Sequence, residues 1–245
     1  MIKKLQLQAI ISKYHLGGLI EGVKWSIEDN QLNIKFASPN KDMLGELNIN
    51  DFQLENAEVA IFNTSQLNKL LNITSGELMV SFTKSNKIFT KLIIDDNQYT
   101  VSYSLADLML IEKPAKVNDY EFEIEVPLDK EIINALIKAK NALPDVESVI
   151  LRSFDGFDGT KEMEVLFGDD KDYSNKISYF IKNVITENKE LYQLCFDSNV
   201  FKEILSSNKD CENGKMFINL EGLLKLEFQE EQIKSEYYLV KKENY

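Results

Sequence analysis

The sequence predicts an α+β protein made of two similar domains, rich in β-strands and with four short helices. Most of the chain alternates apolar and polar residues, which is the two-residue period of a strand. Only the segments 3–14, 65–73, 129–142 and 198–209 repeat with the helical period. A strand that ends at a polar cap and turns into a helix occurs twice, at an offset of 134 residues. Such an internal repeat is typical of a duplicated domain.

The duplicated unit reads VAIFNTSQLNKLL from residue 59 and LCFDSNVFKEIL from residue 194. Corresponding positions carry similar side chains: Phe62 and Phe196, Thr64 and Ser198, Leu67 and Phe201, Leu70 and Ile204, Leu71 and Leu205. Each copy is followed by a glycine, Gly76 or Gly214, and by three predicted strands. Neither copy contains a catalytic motif, so the repeat predicts an architecture and not an active site.

The predicted strands follow from alternation and from the turn residues between them. In the first half they lie at 23–27, 32–36, 77–82, 91–94 and 99–105. In the second half they lie at 121–126, 147–154, 161–167, 176–181, 191–196, 215–220, 224–228 and 235–240. The last three helices begin at residues that can cap free N–H groups with a side-chain oxygen: Thr64-Ser65, Asp129 and Ser198-Asn199.

Between the two repeats, the periodicity breaks over residues 104–120, which include Pro114. Proline and irregular patterning are typical of a segment that joins domains. We therefore expect a first domain at 1–112, a connector at 113–119 and a second domain at 120–245.

Charge and composition limit the classes of function. The 245 residues include 40 acidic and 28 basic ones, for a net charge of −12, and 44% are hydrophobic. No apolar run is long enough to span a membrane, and Gln6 and Gln8 interrupt any secretory signal at the N-terminus. We therefore expect a cytoplasmic protein, in the host cell if it is viral. The two cysteines provide no disulfide framework and no metal site.

The four helical segments carry a net positive charge, opposite in sign to that of the whole chain. Their four segments hold nine lysines and three acidic residues, so the rest of the chain is still more acidic than the total suggests. On a helical wheel most of these lysines share polar faces with asparagines, opposite the apolar faces. We expect ten of these residues to face nucleic acid: Lys4, Lys13, Asn68, Lys69, Asn72, Lys130, Asn134, Lys138, Lys202 and Lys209.

The chemistry of these faces favours loose contact with duplex DNA. Lysine and asparagine can meet phosphates without reading bases. Only one arginine, Arg152, is present, so bidentate recognition of guanine is not expected. The polar faces carry no aromatic residue on which single-stranded bases could stack. The alternative is that lysine simply suits exposed helix surfaces.

No motif indicates an enzyme or a cofactor. The sequence contains neither a GxxxxGK[ST] phosphate loop nor a GxGxxG turn. The single histidine, His15, follows the first helix and is interpreted as a surface or capping residue. The segments DGFDG (155–159) and DDKDYSN (169–175) fit acidic turns better than calcium loops. We expect no catalytic residue, no metal and no cofactor.

In its order of elements, the chain resembles the DNA sliding clamps. The resemblance is carried by EVAIFNTSQLNKLLNI (58–73), LDKEIINALIKAKNALPDVESVIL (128–151), LCFDSNVFKEIL, GKMFINL and SEYYLV. It is closest to the two-domain clamps of T-even-type bacteriophages and more distant from archaeal and eukaryotic clamps. It covers nearly the whole chain as a pattern of elements more than as identities.

The resemblance implies both architecture and partners. Each domain would consist of two β-α-β-β-β units, with sheets outside and helices inside. Three copies would join head to tail as a homotrimeric ring around duplex DNA, without sequence specificity. The expected protein partners are the replicative DNA polymerase, which the ring would tether for processive synthesis, and the clamp-loader ATPase.

In clamps, a short hydrophobic tail of a partner docks beside the connector. The matching positions here are Leu108, Met109, Ile111 and Pro114, with Tyr238 and Leu239 from the last strand. The alternative is that LMLI only fixes the connector to the sheet. Two rival functions also stay open: a monomeric processivity factor of the same fold that holds DNA by charge, and an acidic β-rich structural or virion protein with no role on DNA.

Overall fold

A computed structural model describes residues 1–116, 120–155, 160–169, 174–182, 184–186 and 193–242. The chain divides into two compact units, residues 1–116 with 231–235 and residues 117–230 with 236–245. Parts of four segments considered above lie outside the described residues: 117–119 of the connector, 156–159 of DGFDG, 170–173 of DDKDYSN and 191–192 of the predicted strand 191–196.

The first unit contains the same succession of elements twice. The first copy is β1 (Ile2–Lys3), α1 (Lys4–His15), β2 (Val23–Glu28), β3 (Gln31–Ala37) and β4 (Met43–Ile49). The second copy is β5 (Ala57–Ile61), α2 (Thr64–Asn72), β6 (Glu77–Ser85), β7 (Ile88–Asp95) and β8 (Thr100–Ser104). The β-α-β-β-β repeat expected for this half of the chain is therefore confirmed.

All strand pairs in the first unit are antiparallel. Strands β5, β2, β3 and β4 lie side by side in that order, with Trp25 opposite Ile34 and Val59. The other sheet has the order β1, β6, β7, β8. Among the described strands, β8 pairs only with β7. Its outer backbone edge is therefore open.

The second unit repeats the succession, with one short extra strand. Its first copy is β9 (Ile124–Leu128), α3 (Lys130–Ala142), β10 (Ser148–Asp155), β11 (Lys161–Phe167), β12 (Ile177–Ile181) and the two-residue β13 (Ile185–Thr186). Its second copy is β14 (Leu194–Asp197), α4 (Ser198–Ser207), β15 (Gly214–Asn219), β16 (Leu223–Glu230) and β17 (Ile233–Val240), whose first three residues are grouped with the first unit. One sheet has the order β12, β11, β10, β14, so that β12 and β14 are its two edges among the described strands.

The helices bury their apolar faces in the core of their own unit. In the first unit Leu7, Ile10 and Leu67 are fully buried, and in the second Leu136 and Phe201 are. Along the strands burial alternates, most regularly in β4 and β17. Burial thus follows the helical period along the helices and the two-residue period along the strands, the same periods that predicted these elements.

Two helix caps lie one residue earlier than predicted. The side chain of Asn63 accepts a hydrogen bond from the N–H of Gln66, and that of Asp197 accepts bonds from the N–H groups of Asn199 and Val200. The hydroxyls of Thr64 and Ser198, which were predicted to cap, instead donate to the carbonyls of Glu21 and Val146. The hydroxyls of Thr64 and Ser198 therefore have the same structural role in the two units. Each joins the start of its helix to a loop that is distant in the chain. The predicted cap Asp129 is confirmed.

Strand β4 was not predicted. Its alternating residues Met43, Leu47 and Ile49 are buried, but Gly45 interrupts the apolar pattern. A side chain at Gly45 would collide with the ring of Phe36 on the neighbouring strand. A glycine is required at position 45 because the ring of Phe36 fills the space that a side chain would occupy. The strand was missed because glycine is depleted in ordinary strands.

Candidate functional site

In the first unit, the polar side chains of α1 hold the end of α2. The ammonium of Lys4 donates hydrogen bonds to the carbonyl oxygens of Asn72, at 3.0 Å, and Thr74, at 2.5 Å. The amide of Gln8 donates to the side-chain oxygen of Asn72 at 2.9 Å. A cation beside the last carbonyls of a helix also interacts favourably with the helix dipole. Lys4 and Asn72 therefore join two helices, and the charge of Lys4 is partly used within the protein.

Lys13 does not lie on an exposed face. Its side chain is 1% exposed, so the prediction that it faces a ligand is wrong. On the wheel Lys13 flanks the apolar stripe that includes Ile10 and Tyr14, as Gln8 does on the other side. The long aliphatic stem of a lysine can lie along such a stripe, and packing of the helix then encloses it.

Lys140 is the buried lysine of α3. Its ammonium donates to the carbonyl oxygens of Leu143, at 3.3 Å, and Pro144, at 2.8 Å, just beyond the end of the helix. Burial lowers the pKa of Lys140 from its usual value. The first helix of each unit thus buries one lysine near its C-terminal end, and neither lysine contributes to an exposed cationic layer.

Two half-buried lysines, Lys130 on α3 and Lys202 on α4, are paired with carboxylates. Lys130 lies 3.1 Å from the carboxylate of Asp210, whose hydrogen bond and charge raise the pKa of the lysine. Lys202 lies 2.7 Å from the carboxylate of Glu203. The amide of Asn134 donates to the backbone carbonyls of Lys130, at 2.7 Å, and Lys209, at 3.3 Å.

Three of the predicted lysines are exposed and have no ion pair with the described part of the chain. They are Lys69 on α2, Lys138 on α3 and Lys209 after α4. Asn68 is half-buried on α2. The predicted set therefore contains free cations, cations already paired with carboxylates or carbonyls, and the buried Lys13.

An exposed apolar turn leads into the connector. Residues Leu108–Leu110 form one turn of 3-10 helix, which Asp107 caps by accepting the N–H of Met109 at 2.8 Å. Leu108 and Pro114 are half-buried, whereas Met109 is 90% exposed. Ile111 is buried and packs closely on Gly22. A Cβ atom added at Gly22 would lie only 2.9 Å from the Cδ1 atom of Ile111. Ile111 therefore anchors the connector, as the alternative interpretation of LMLI expected, while Met109 remains available for contact.

A groove of about 1350 Å³ lies beside this connector, entirely within the first unit. One wall is formed by residues 35–44 around the β3–β4 turn, another by residues 62–69 at the start of α2, and a third by residues 110–115. Of the predicted residues, Ile111, Pro114 and Lys69 line it. Its other members, including Phe62, Lys41 and Leu110, were not predicted as site residues.

The two residues predicted from the last strand differ in exposure. Leu239 is buried, so it does not offer a surface for a partner. Tyr238 is half-buried, and its ring centroid lies 5.7 Å from the ammonium of Lys225. Burial lowers the pKa of Lys225, but hydrogen bonds to Glu227 and Glu236 outweigh it, so that the net pKa is raised. Tyr238 therefore borders a firmly held ion cluster.

His15 joins the end of α1 to the start of α2. Its Nε2 atom lies 3.1 Å from the hydroxyl oxygen of Ser65 and 3.3 Å from the carboxylate of Glu21. Ser65 also donates to Glu21 from its hydroxyl and from its backbone N–H. The histidine thus contacts the first turn of α2 through a side chain, while Asn63 is the residue that caps the helix.

Neither metal-binding clusters nor membrane-spanning helices are found in the described residues. No group of three or more His, Cys, Asp or Glu side chains there is arranged to hold a metal ion. Among the same residues, every helix is too short or too polar to cross a bilayer.

No family model matches the sequence, and no curated protein matches it. Solved structures do match the fold. Proliferating Cellular Nuclear Antigen (PCNA) from Entamoeba histolytica is similar with a TM-score of 0.76 and 14% identity, over 98% of this chain and 96% of that one. A. fulgidus PCNA, solved with the C-terminal region of FEN-1, gives 0.76 and 14%, over 100% and 98%. PCNA from Thermococcus kodakaraensis gives 0.76 and 10%, over 99% and 98%. The chain therefore has the fold of the DNA sliding clamps, as predicted.

Proposed function

We propose that this protein is a sliding clamp, which encircles duplex DNA as a ring of three copies and tethers the replicative DNA polymerase. One observation carries the proposal: the clamp fold extends over the whole chain, through all four β-α-β-β-β repeats. The proposed role is mechanical and requires no catalytic residue. The domain boundaries proposed with it are 1–112 and 120–245, joined by residues 113–119.

Closure of the ring uses the open strand edges. Strand β8 in the first unit and β12 in the second each have one described neighbour. An unpaired edge favours pairing with a strand of another chain. If β8 of one copy pairs with β12 of the next, the contact is head to tail, and such a contact forms a ring when its rotation closes.

Duplex DNA is held topologically in this proposal. The helices would line the bore, with Lys69, Lys138 and Lys209 as free cations and Lys130 and Lys202 as paired ones. Asn68, Asn72 and Asn134 would add uncharged polar contacts, and Lys4 would contribute the exposed part of its side chain. Lys13 is left out because it is buried. Nonspecific phosphate contacts of this kind weaken as salt concentration rises.

Protein partners would dock beside the connector. The A. fulgidus clamp is seen with the C-terminal region of FEN-1, and we propose that a segment of the polymerase binds similarly here. Met109 is the most exposed candidate contact, with Leu108 and Pro114 near it in the chain and Ile111 holding the connector in place. Tyr238, in the second unit, is proposed as a separate contact. Leu239 is left out because it is buried. A clamp-loader ATPase would open the ring.

Molar mass by light scattering, over a series of protein concentrations, tests the ring first. One copy has a mass of 28.2 kDa, and a closed trimer has three times that mass. The second step measures retention of the loaded protein on circular DNA before and after linearisation. A ring is released when the DNA is cut, because it slides off the ends.

Two other outcomes would contradict the proposal. A mass that stays at that of one copy, with salt-sensitive binding to linear DNA, would identify a monomeric processivity factor that holds DNA by charge. The same mass without DNA binding would leave an acidic structural protein of this fold.

A further inference from the structure

Phe62 is exposed where its duplicate is buried. Phe62 and Phe196 both stand immediately before the residue that caps a helix, Asn63 in the first unit and Asp197 in the second. Phe196 is completely buried, whereas Phe62 is 55% exposed and lines the groove beside the connector. The fold therefore accommodates this aromatic ring in its core, but the first unit presents it to the surface. Exposed apolar surface of this kind commonly marks a docking site.

A second apolar side chain faces the same groove from the connector. Leu110 is 62% exposed, and its neighbour Ile111 is buried against Gly22. Because Ile111 fixes the backbone of the connector, Leu110 is held at the groove and not on a free chain. The floor and far wall include Phe36 and Leu44. The groove thus offers two apolar contacts on separate, anchored elements.

The charge of the groove is opposite to that of the protein. Four lysines line it, Lys35, Lys41, Lys69 and Lys113, with only two acidic residues, although the chain as a whole has an excess of acid. Of the four, Lys35 is already paired at 3.0 Å with Glu46, which does not line the groove. Lys69 and Lys113 form no ion pair with the described residues.

The two acidic residues of the groove are weak competitors for these lysines. The Glu21 carboxylate is engaged by Ser65 and His15. Glu112 lies 3.4 Å from Lys41, and both side chains are highly exposed. Such a surface pair contributes little to stability, so another carboxylate can replace Glu112 at little cost.

We propose that this groove binds an acidic peptide segment of a partner protein, whose apolar side chains contact Phe62 and Leu110 and whose carboxylates contact Lys41, Lys69 and Lys113. The proposal rests on the proposed function for the nature of the occupant, a segment of a protein that the clamp tethers. What it adds is the charge of that segment and the participation of the α2 wall.

The observations favour a peptide over a nucleic acid. Single-stranded binding sites need several aromatic platforms in succession, and in this groove Phe36 is buried, which leaves only Phe62 exposed. Apolar contacts flanked by cations are instead suited to a peptide with apolar and acidic side chains, since charge complementarity favours selection of the partner.

The experiment compares pools of short synthetic peptides on the full-length protein. The pools share randomised Leu, Phe, Ile and Met positions and differ only at the remaining positions, which are Asp, Glu and Ser in one pool and Lys, Arg and Ser in the other. We expect the acidic pool to bind at least about tenfold better at low salt and to lose that advantage as salt is raised. An oligothymidylate is the nucleic-acid probe.

Two pairs of variants test the assignment. Lys41→Glu with Lys113→Glu should abolish the preference for the acidic pool, whereas the matched control Lys87→Glu with Lys91→Glu, outside the groove in the same unit, should preserve it. Phe62→Ala and Leu110→Ala should each weaken binding of the acidic pool about tenfold. Circular dichroism of each variant establishes that the fold is retained.

Failure of this inference differs from failure of the proposed function. If both pools bind equally, if neither binds, or if the oligothymidylate binds better, the acidic-peptide assignment is overturned, while mass and DNA retention still decide whether the protein is a clamp. If the acidic pool binds as expected and no ring forms, the groove is a peptide site on a protein that is not a ring-shaped clamp.

Discussion

The Glu21 carboxylate accepts a hydrogen bond from the backbone N–H of Ser65 at 2.9 Å, although the two residues are 44 positions apart in the chain. The carbonyl oxygen of Glu21 accepts two further bonds from Thr64. One loop residue therefore satisfies several free donors at the start of α2. The start of this helix thus depends on a distant part of the chain as well as on its own cap, Asn63.

This arrangement predicts a pH dependence of stability. Burial raises the pKa of Glu21, but the hydrogen bonds from Ser65 and the contact with His15 outweigh it, so the net pKa is lowered. A carboxylate with a lowered pKa stabilises the fold above its unfolded value, about 4.3, and loses that contribution as pH falls through the folded pKa. We expect Glu21→Gln to lower the free energy of unfolding at neutral pH and to have little effect in acid. Urea titrations of both proteins across this range measure the difference, and a constant difference would contradict the prediction.

The two lysines at 138 and 140 should behave in opposite ways. Lys140 is buried and bonded to two carbonyls, so Lys140→Ala should cost about 1–3 kcal/mol of unfolding free energy, because those acceptors lose their partner. Lys138 is exposed without an ion pair to the described residues, so Lys138→Ala should change stability by less than about 0.5 kcal/mol.

In the DNA binding proposed above, the same two variants should show the opposite order of effects. For Lys138→Ala we expect the slope of log binding constant against log salt to fall by about 1 per removed contact. Lys140→Ala should leave that slope unchanged at a temperature where it is folded. Equal slopes for Lys138→Ala and the unmodified protein would place α3 away from DNA.

The cap of α3 should contribute measurably to stability. Asp129 accepts the N–H of Ile132 at 2.8 Å, and Asp129→Ala removes this acceptor at the end of the helix where anions are favoured. The expected loss is about 1 kcal/mol. Asn141→Ala, an exposed change in the last turn of the same helix, is the control and should not destabilise. Thermal or urea unfolding compares the three proteins.

The proposed ring contact can be tested at β12. Phe180 is about half exposed on this edge strand and packs edge to face on Phe154 at 5.5 Å between ring centroids. Phe180→Asp should shift the molar mass toward that of one copy at a given concentration, because an unpaired charge at a contact between copies must be desolvated. Ile88→Asp, at the exposed first residue of β7, should not change the mass. An unaltered mass in Phe180→Asp would exclude this side chain from the contact.

Local features of the fold were predictable, because they depend on periodicity. The predicted helix 129–142 and the observed Lys130–Ala142 differ by one residue, and the duplicated pair Thr64 and Ser198 proved to have one structural role. Strand β4 escaped prediction because Gly45 serves the ring of Phe36, a contact between strands that no local pattern records.

The site was less predictable than the fold. A helical wheel ranks residues by direction only, and it could not show that packing encloses Lys13. The groove combines a turn, a helix start and a connector that are far apart in sequence, so its members share no spacing. The exposed Phe62 looked like its buried duplicate in the sequence, and only the folded environment distinguishes them.

The carboxylates beside Lys130 and Lys202 would affect how easily the protein moves along duplex DNA. A phosphate that approaches either ammonium replaces an anion already within 3.1 Å, so each exchange yields only a fraction of the small energy of a surface ion pair. A duplex moving past such lysines would meet many shallow free-energy minima and few deep ones. In the proposed clamp, friction along the axis would therefore be low, and the lifetime on DNA would be set by the opening of the ring.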